Sequence, residues 1–470
     1  MRIGQTSIVA FLSQALTSII GFLVTVYLAR ELGSDLLGTY FLVVAASIWL
    51  KVVAGQGIFI AVTKRMSEGR SPREFYGAGA LLQVVAFVVV AVVLLVAREP
   101  LNEQYFGFQA TLPLVGLLFV TLVLNLVQAA LRGNHKVHVA SSLSPFERTV
   151  RSVLQVGAVF LGYSVLALVV GYAVATLVTA VVGIALVGML PRLPSRDDVE
   201  SLWSYAKYAW PSGLEAQAFQ SMDTIVLGLF VAKGFIGIYE VSWNLASILA
   251  VFGVSISQSM FPHISELTAE EDPQAAAGLV EDALAYAGLL IVPGFVGVAL
   301  LGEDILRIYG AEFTDGAIIL VVLVFARLVY VYESQFTNVL AAINRERVAF
   351  RVNVVFIGSN LVLNFALIPP FGWYGAAAAT TISAVVGLAL GYGFLARIVP
   401  VSIPVTELSR QWLAAGVMGV AVFAGERYLP EAIPVTIALI ALGGAVYFLA
   451  LSALSPRFRA TVQRNLPIAR

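Results

Sequence analysis

The 470-residue chain has no cysteine, only three histidines and little charge: Asp, Glu, Lys and Arg make up 12% of it. The missing thiols exclude disulfides, thiolate metal sites and a cysteine nucleophile. The scarcity of charge, set against 59% hydrophobic residues, excludes a water-soluble enzyme, whose composition runs to roughly 25% charged residues. Basic and acidic residues balance at 28 each, so the net charge gives no reason to expect nucleic acid. No Gly-x-x-x-x-Gly-Lys-Ser/Thr loop occurs, so this chain does not hydrolyse ATP. His135 and His138 are close but lack a third ligand, and His263 stands apart, so no metal site is expected. No catalytic triad or paired-carboxylate site can be assembled, and the chain reads as a non-enzyme.

What is present is apolar length. A helix needs about 20 apolar residues to cross a bilayer. Fourteen such runs can be read: 5–29, 37–63, 76–97, 110–131, 144–162, 164–190, 207–230, 235–261, 280–301, 316–338, 349–368, 372–396, 410–428 and 433–454. The first is too long for a cleaved signal peptide, and a second follows at once. The segments between runs are short, and 265–282, acidic with Glu266, Glu270, Glu271 and Asp272, reads as a solvated loop or short surface helix. Nineteen of the 28 Lys and Arg residues fall on the side shared by both termini and five on the other. The positive-inside bias therefore places both termini in the cytoplasm of a multi-pass cell-membrane protein.

The chain also repeats itself. Residues 176–186 and 380–390 share seven of eleven positions, with three of the rest conservative, at an offset of 204. Leu37-Gly38-Thr39-Tyr40 and Ile236-Gly237-Ile238-Tyr239 match at an offset of 199. Both offsets equal six runs. The expected fold is all-α, with 14 transmembrane helices in two pseudo-symmetric six-helix bundles plus two C-terminal helices. The expected domains are 1–191, an N-terminal six-helix lobe; 192–398, a C-terminal six-helix lobe; and 399–470, two appended helices and a basic cytoplasmic tail. Two like halves that rock about a midplane site are a transporter's architecture.

Charges inside spans are costly, so each needs a partner, a wet cavity or a role. Lys51 lies mid-way through the second run and Arg327 mid-way through the tenth, neither with an acid one turn away. They either share an aqueous cavity or pair with acids on other spans. Glu215 and Asp223 in the seventh run are eight residues apart, which puts them on one broad helix face. They serve either proton or cation coupling or structural pairing, and Pro211 nearby frees a backbone carbonyl that can bind a cation. Glu147 and Arg151 are spaced to pair along a helix, which leaves Arg148 for an anion near the cytoplasmic mouth or for a lipid headgroup. Pro293, with Gly294 and Gly297, predicts a bend in the ninth run. Gly387 and Gly391 predict close helix packing.

Short motifs then point to a family. Leu28-Ala29-Arg30-Glu31-Leu32-Gly33 followed by Leu37-Gly38-Thr39-Tyr40-Phe41 resembles the opening of polysaccharide flippases in the multidrug/oligosaccharidyl-lipid/polysaccharide (MOP) exporter superfamily. Asn344-Arg345 looks like their short cytoplasmic turn, without its usual glycine, and Gly372-Trp373-Tyr374-Gly375-Ala376-Ala377 like the start of their twelfth span. The resemblance runs along nearly the whole chain and implies a MATE-like fold. It implies translocation of a polyprenyl-phosphate- or diphosphate-linked oligosaccharide for surface polysaccharide synthesis or glycosylation. Lys51, Arg327, Arg148 and Arg151 would bind that substrate, and Glu215 and Asp223 would couple it to Na+ or H+, with no other cofactor. Partners would be the lipid-linked glycan, membrane lipids and glycan-assembly enzymes. A drug/cation antiporter would want an acid-dominated cavity, usually with twelve spans. A lipid II flippase of the same superfamily has the same span count. A membrane-embedded glycan polymerase would need a larger extramembrane loop than this chain has.

Overall fold

The computed structural model describes the backbone of residues 3–69, 71–210, 214–269, 273–399 and 401–465. Side chains are described for these except at 3–19, 215–216, 257–264, 267–269, 273–277, 462 and 464–465. Among the described residues the chain is helical throughout, with no strand. Every backbone group in hydrocarbon must be satisfied within its own segment, which a helix does and an open sheet does not.

The first half holds α1 (Ile3–Ser67), α2 (Pro72–Val96), α3 (Thr111–Gly133), α4 (Val137–Phe160), α5 (Val165–Val187), α6 (Arg196–Ala209) and α7 (Leu214–Phe230). The second holds α8 (Lys233–Ala269), α9 (Pro273–Ala287), α10 (Ile291–Arg307), α11 (Ala317–Ala342), α12 (Glu346–Leu395), α13 (Val405–Tyr428), α14 (Ile433–Leu454) and α15 (Pro456–Asn465). Every one of the fourteen apolar runs overlaps one of these helices. Among the described residues, nine helices are long and apolar enough, by length and composition, to cross a membrane. Polar residues dilute α4 and α13, and α7 has only 17 residues.

Two of the helices are too long for one crossing. At 1.5 Å per residue, α1 would extend about 98 Å, three times a bilayer core of about 30 Å. It breaks at Gly33 (φ 77°, ψ 174°), and α12 breaks at Gly372 (φ 57°, ψ −137°), conformations that a Cβ disfavours. Both glycines lie in the stretches that carried the family resemblance. The glycine missing from the Asn344-Arg345 turn is replaced in kind: Asn344 itself takes φ 57°, which asparagine tolerates better than most residues. The bend expected at Pro293 falls just before it. The helix breaks at 288–290 and α10 restarts at Ile291, so the proline sits in a first turn, where its missing N–H costs nothing.

Contacts divide the chain into two compact units, Met1–Gly237 and Ile238–Arg470. In the first, α6 and α7 pack back onto α1, and α6 also onto α2. Ile58, Val62, Phe75, Leu126, Val127 and Leu202 lie in its main core. In the second, Val280, Leu284, Phe336, Val339, Leu340 and Leu395 form a core at the junction of α9, α11 and α12. Gly387 and Gly391 permit that packing, because added methyls would lie 3.2 Å from Glu333 Cγ and 3.3 Å from Phe336 Cβ. The outer faces are apolar too: Val84, Val85, Val88, Val89, Val92 and Val93 on α2 are all at least half exposed, as lipid-facing residues are.

The internal repeat has a structural counterpart. Thr179 Oγ1 donates to Ala175 O (2.8 Å), and 204 residues later Ser383 Oγ donates to Ala379 O (2.7 Å). Thr176 and Thr380 are both buried at the same offset. The acidic segment near 265 is helical up to Ala269, Glu266 is exposed, and helix resumes at Pro273; Glu270, Glu271 and Asp272 lie outside the described residues.

Candidate functional site

In the first unit, α4 carries an unusual load of polar groups for a helix in this setting. Glu147 and Arg151 pair as their spacing predicts, with Nε 3.6 Å from Oε1. The Arg151 guanidinium also lies over the Tyr172 ring of α5, 4.3 Å from its centroid. One turn on, Gln155 Nε2 donates to Tyr40 Oη of α1 (2.7 Å) and to Leu168 O (3.1 Å). Arg151 is thus held from two sides, by a carboxylate and by a ring face, in a plane that suits its flat guanidinium.

Lys51 lies on α1, in the same unit. It is half-buried, and among the described residues no hydrogen bond or ion pair within 4 Å holds its ammonium. Arg148 itself is exposed. Among the described residues Glu147 makes one ion pair, with Arg151. Helices α1 and α4 thus carry three bases and one acid in apolar runs, and phosphate oxygens match guanidinium and ammonium donors.

Of the four expected substrate-binding residues, Arg148 and Arg151 lie on α4 and Lys51 on α1, all in the first unit. The fourth, Arg327, belongs to the second unit, where it is buried on α11. Its Nη2 donates to Ser247 Oγ (2.5 Å), and its guanidinium lies over the Trp243 ring at 4.0 Å. Trp243 and Ser247 are four apart on α8, so they present one face to it. Asp223 is buried on α7. The side chain of Glu215 and residues 211–213, which include Pro211, lie outside the described residues.

Sequence reasoning passed over two sets of residues. Tyr40, Tyr172 and Gln155 complete the surroundings of Arg151, and only tertiary structure brings them together. In the second unit Asn360 Nδ2 donates to Thr380 Oγ1 (3.2 Å), and Asn364 Nδ2 to Asn360 Oδ1 (3.2 Å) and Asn360 O (3.0 Å). All three are fully buried. Their signal was available: two asparagines four apart inside an apolar run, and a threonine at the start of the repeat.

The repeated Leu-Gly-Thr-Tyr motif has a place as well. A methyl on Gly38 would lie 1.9 Å from Lys233 O and 2.7 Å from Gly237 N, and one on Gly237 would lie 2.2 Å from Ser34 O. The two motif glycines thus mark a crossing of backbones. Beside it, Tyr105 Oη donates to Ile225 O (2.9 Å), and Lys233 Nζ donates to Tyr105 O and to Gly228 O (3.3 Å).

The chain is 33% identical to "Probable flippase AglR" of Haloferax volcanii over 99% of its own length and 98% of that protein. It is 26% identical to "Probable low-salt glycan biosynthesis flippase Agl15" of the same organism, covering 87% of this chain and 86% of the relative. Among solved structures, "Lipid II flippase MurJ, inward closed conformation" superposes with a TM-score of 0.81 at 16% identity, over 97% of this chain and 100% of that one. An inward-facing multidrug resistance MATE family transporter of the MOP superfamily superposes with a TM-score of 0.58 at 16% identity, over 81% and 95%. These structures share the fold. Residues 3–268, more than half of the chain, match the family described as polysaccharide biosynthesis protein, and the chain belongs to that family.

Proposed function

We propose that the chain is a flippase that carries a polyprenyl-phosphate- or diphosphate-linked oligosaccharide from the cytoplasmic to the outer face of the cell membrane by alternating access. The observation that carries this reading is the excess of bases in the apolar runs of the first unit, where Lys51, Arg148 and Arg151 stand with the one acid Glu147, which pairs with Arg151 at 3.6 Å. A phosphorylated headgroup needs cations inside the membrane, and a site with one acid among three bases suits it better than a cationic drug. The names of the two Haloferax relatives, both flippases, support the same reading.

In this proposal Lys51, Arg148 and Arg151 take the phosphate in the first unit and Arg327 takes it in the second, while the lipid tail stays in the bilayer. Asp223 and Glu215 couple the movement to Na+ or H+. The chain makes fourteen crossings with both termini cytoplasmic. The breaks at Gly33 and Gly372, which divide two over-long helices, and the distribution of Lys and Arg support that count and orientation. The chain performs no covalent chemistry, and its neighbours are enzymes that build or use the glycan.

The test is a strain lacking the protein, from which lipid-linked oligosaccharides are extracted and assigned to a membrane face. Accumulation on the cytoplasmic face, reversed by the wild-type chain but not by Lys51→Gln at equal expression, is the expected result. An unchanged pool would refute the proposal and bring drug or ion efflux forward.

A further inference from the structure

Buried polar atoms without partners gather around Gly55 in the first unit. Gln83 on α2 is 5% exposed, and neither its Oε1 nor its Nε2 has a hydrogen-bond partner among the described residues. Across from it on α3, Asn125 Nδ2 is buried and likewise without a partner. So is the Oγ1 of Thr121, one turn away on the same helix. Gly55 is where the two amides converge: a methyl there would lie 3.0 Å from Gln83 Nε2, 3.1 Å from Asn125 Nδ2 and 2.9 Å from Leu122 Cδ2. The adjoining residues Ala54, Leu118 and Leu122 form a buried apolar cluster. Donors and acceptors in such surroundings persist where they have something to bind.

The chemistry of the set defines that ligand. Two amides and a hydroxyl supply donors and acceptors but no charge. A cation would want an acid, which the set lacks, and an anion is better served by the bases nearby. A hydroxyl group, which both donates and accepts, matches it. Position matters equally. Gly55 follows Lys51 by one helical turn, so the two lie on the same face of α1, within about 40°. The neutral set therefore lies one turn along α1 from Lys51.

We propose that Gln83, Asn125 and Thr121 form a hydroxyl-binding site that takes a ring hydroxyl of the sugar next to the phosphate held by Lys51, Arg148 and Arg151. This rests on the glycan-flippase reading above and adds the residues that distinguish a sugar-bearing lipid from its bare carrier. Water offers the same hydroxyl chemistry, and the experiment separates the two sources.

The full-length protein in lipid nanodiscs is titrated with two synthetic probes, a polyprenyl phosphate and the same lipid carrying one hexose on the phosphate. Wild-type protein is expected to bind the hexosyl probe more tightly. Gln83→Met keeps the chain length and removes both amide atoms, and Asn125→Leu does the same on α3. Each is expected to weaken the hexosyl probe by about three- to tenfold, the range of one or two neutral hydrogen bonds, and to leave the bare lipid unchanged. Lys51→Gln is expected to weaken both probes. Hexosyl affinity unchanged in both amide variants overturns the proposal and leaves water as the occupant. Equal loss of both probes also overturns it, because it marks a structural role. Should neither variant fold, equal wild-type affinity for the two probes is the refuting result. Wild-type protein that binds neither probe would refute the flippase reading itself, an outcome distinct from losing only the preference for sugar.

Discussion

The crossing of Gly38 and Gly237 makes the sharpest quantitative test of the fold. Replacing Gly38 by alanine puts a methyl 1.9 Å from the Lys233 carbonyl oxygen and 2.7 Å from the Gly237 nitrogen. Carbon and oxygen in contact sit roughly 3.3–3.6 Å apart at their closest weak approach, so the backbones must part by more than an ångström. Both obstacles are main-chain atoms and cannot rotate aside. Overpacking of this kind costs about 1–3 kcal/mol. Alanine also gains up to about 1 kcal/mol in helix propensity over glycine, which masks part of that cost. Gly116→Ala on α3 isolates the propensity gain, because a methyl there meets nothing within 4 Å. The difference between the two variants is therefore the packing cost alone, about 1–3 kcal/mol or a five- to 150-fold change in the unfolding equilibrium. Unfolding titrations of the purified protein in mixed detergent micelles measure it. Equal stability of Gly38→Ala and Gly116→Ala would refute the backbone crossing.

Other outcomes follow from the same geometry. Arg151→Gln removes the base paired with Glu147 and the guanidinium over Tyr172 and is expected to destabilise the first unit by about 1–3 kcal/mol, with the Glu147→Gln/Arg151→Gln double variant recovering part of it in the same titration. Arg327→Lys gives up the flat guanidinium that covers Trp243 and is expected to cost about 0.5–2 kcal/mol, a loss that should vanish in a Trp243→Leu background when the double-mutant cycle is measured. Arg457 bridges α15 to Glu281 (3.2 Å) and to Asp282, and Tyr286 and Thr461 hydroxyls meet at 2.7 Å. These contacts are partly exposed, so Arg457→Glu should leave global stability within about 1 kcal/mol yet speed tryptic cleavage of the tail at Arg459. An unaltered cleavage rate would show that the ion pairs do not hold the tail.

Much of the molecule can be read along the chain. Hydrophobic length placed most of the helices, because a segment in lipid has to satisfy its backbone internally, but it missed the polar α6 and α15 and the break at 288–290 inside the ninth run. Gly33 and Gly372 stood out as motif positions and proved to be where over-long helices turn. The Glu147–Arg151 pair was legible too, since its geometry depends only on residues four apart on one helix. The basic character of the site was visible as rare charges in apolar runs.

Other features depend on which helix faces which, and no local rule supplies that. Lys51, 96 residues before Glu147, comes into one unit with Arg148 and Arg151 because α1 and α4 pack together. Trp243 and Ser247 meet Arg327, and Tyr40 meets Gln155, through the same long-range packing. Gln83, Asn125 and Gly55 come from three helices and look unremarkable in sequence, where an isolated amide in an apolar run carries little weight. The sequence by itself determined that this chain is a bundle of membrane helices bearing a few expensive charges, because composition and period govern burial in lipid. Only the tertiary structure decided which groups those charges meet, because electrostatic and hydrogen-bond partners fall off within a few ångströms and must be brought that close by packing.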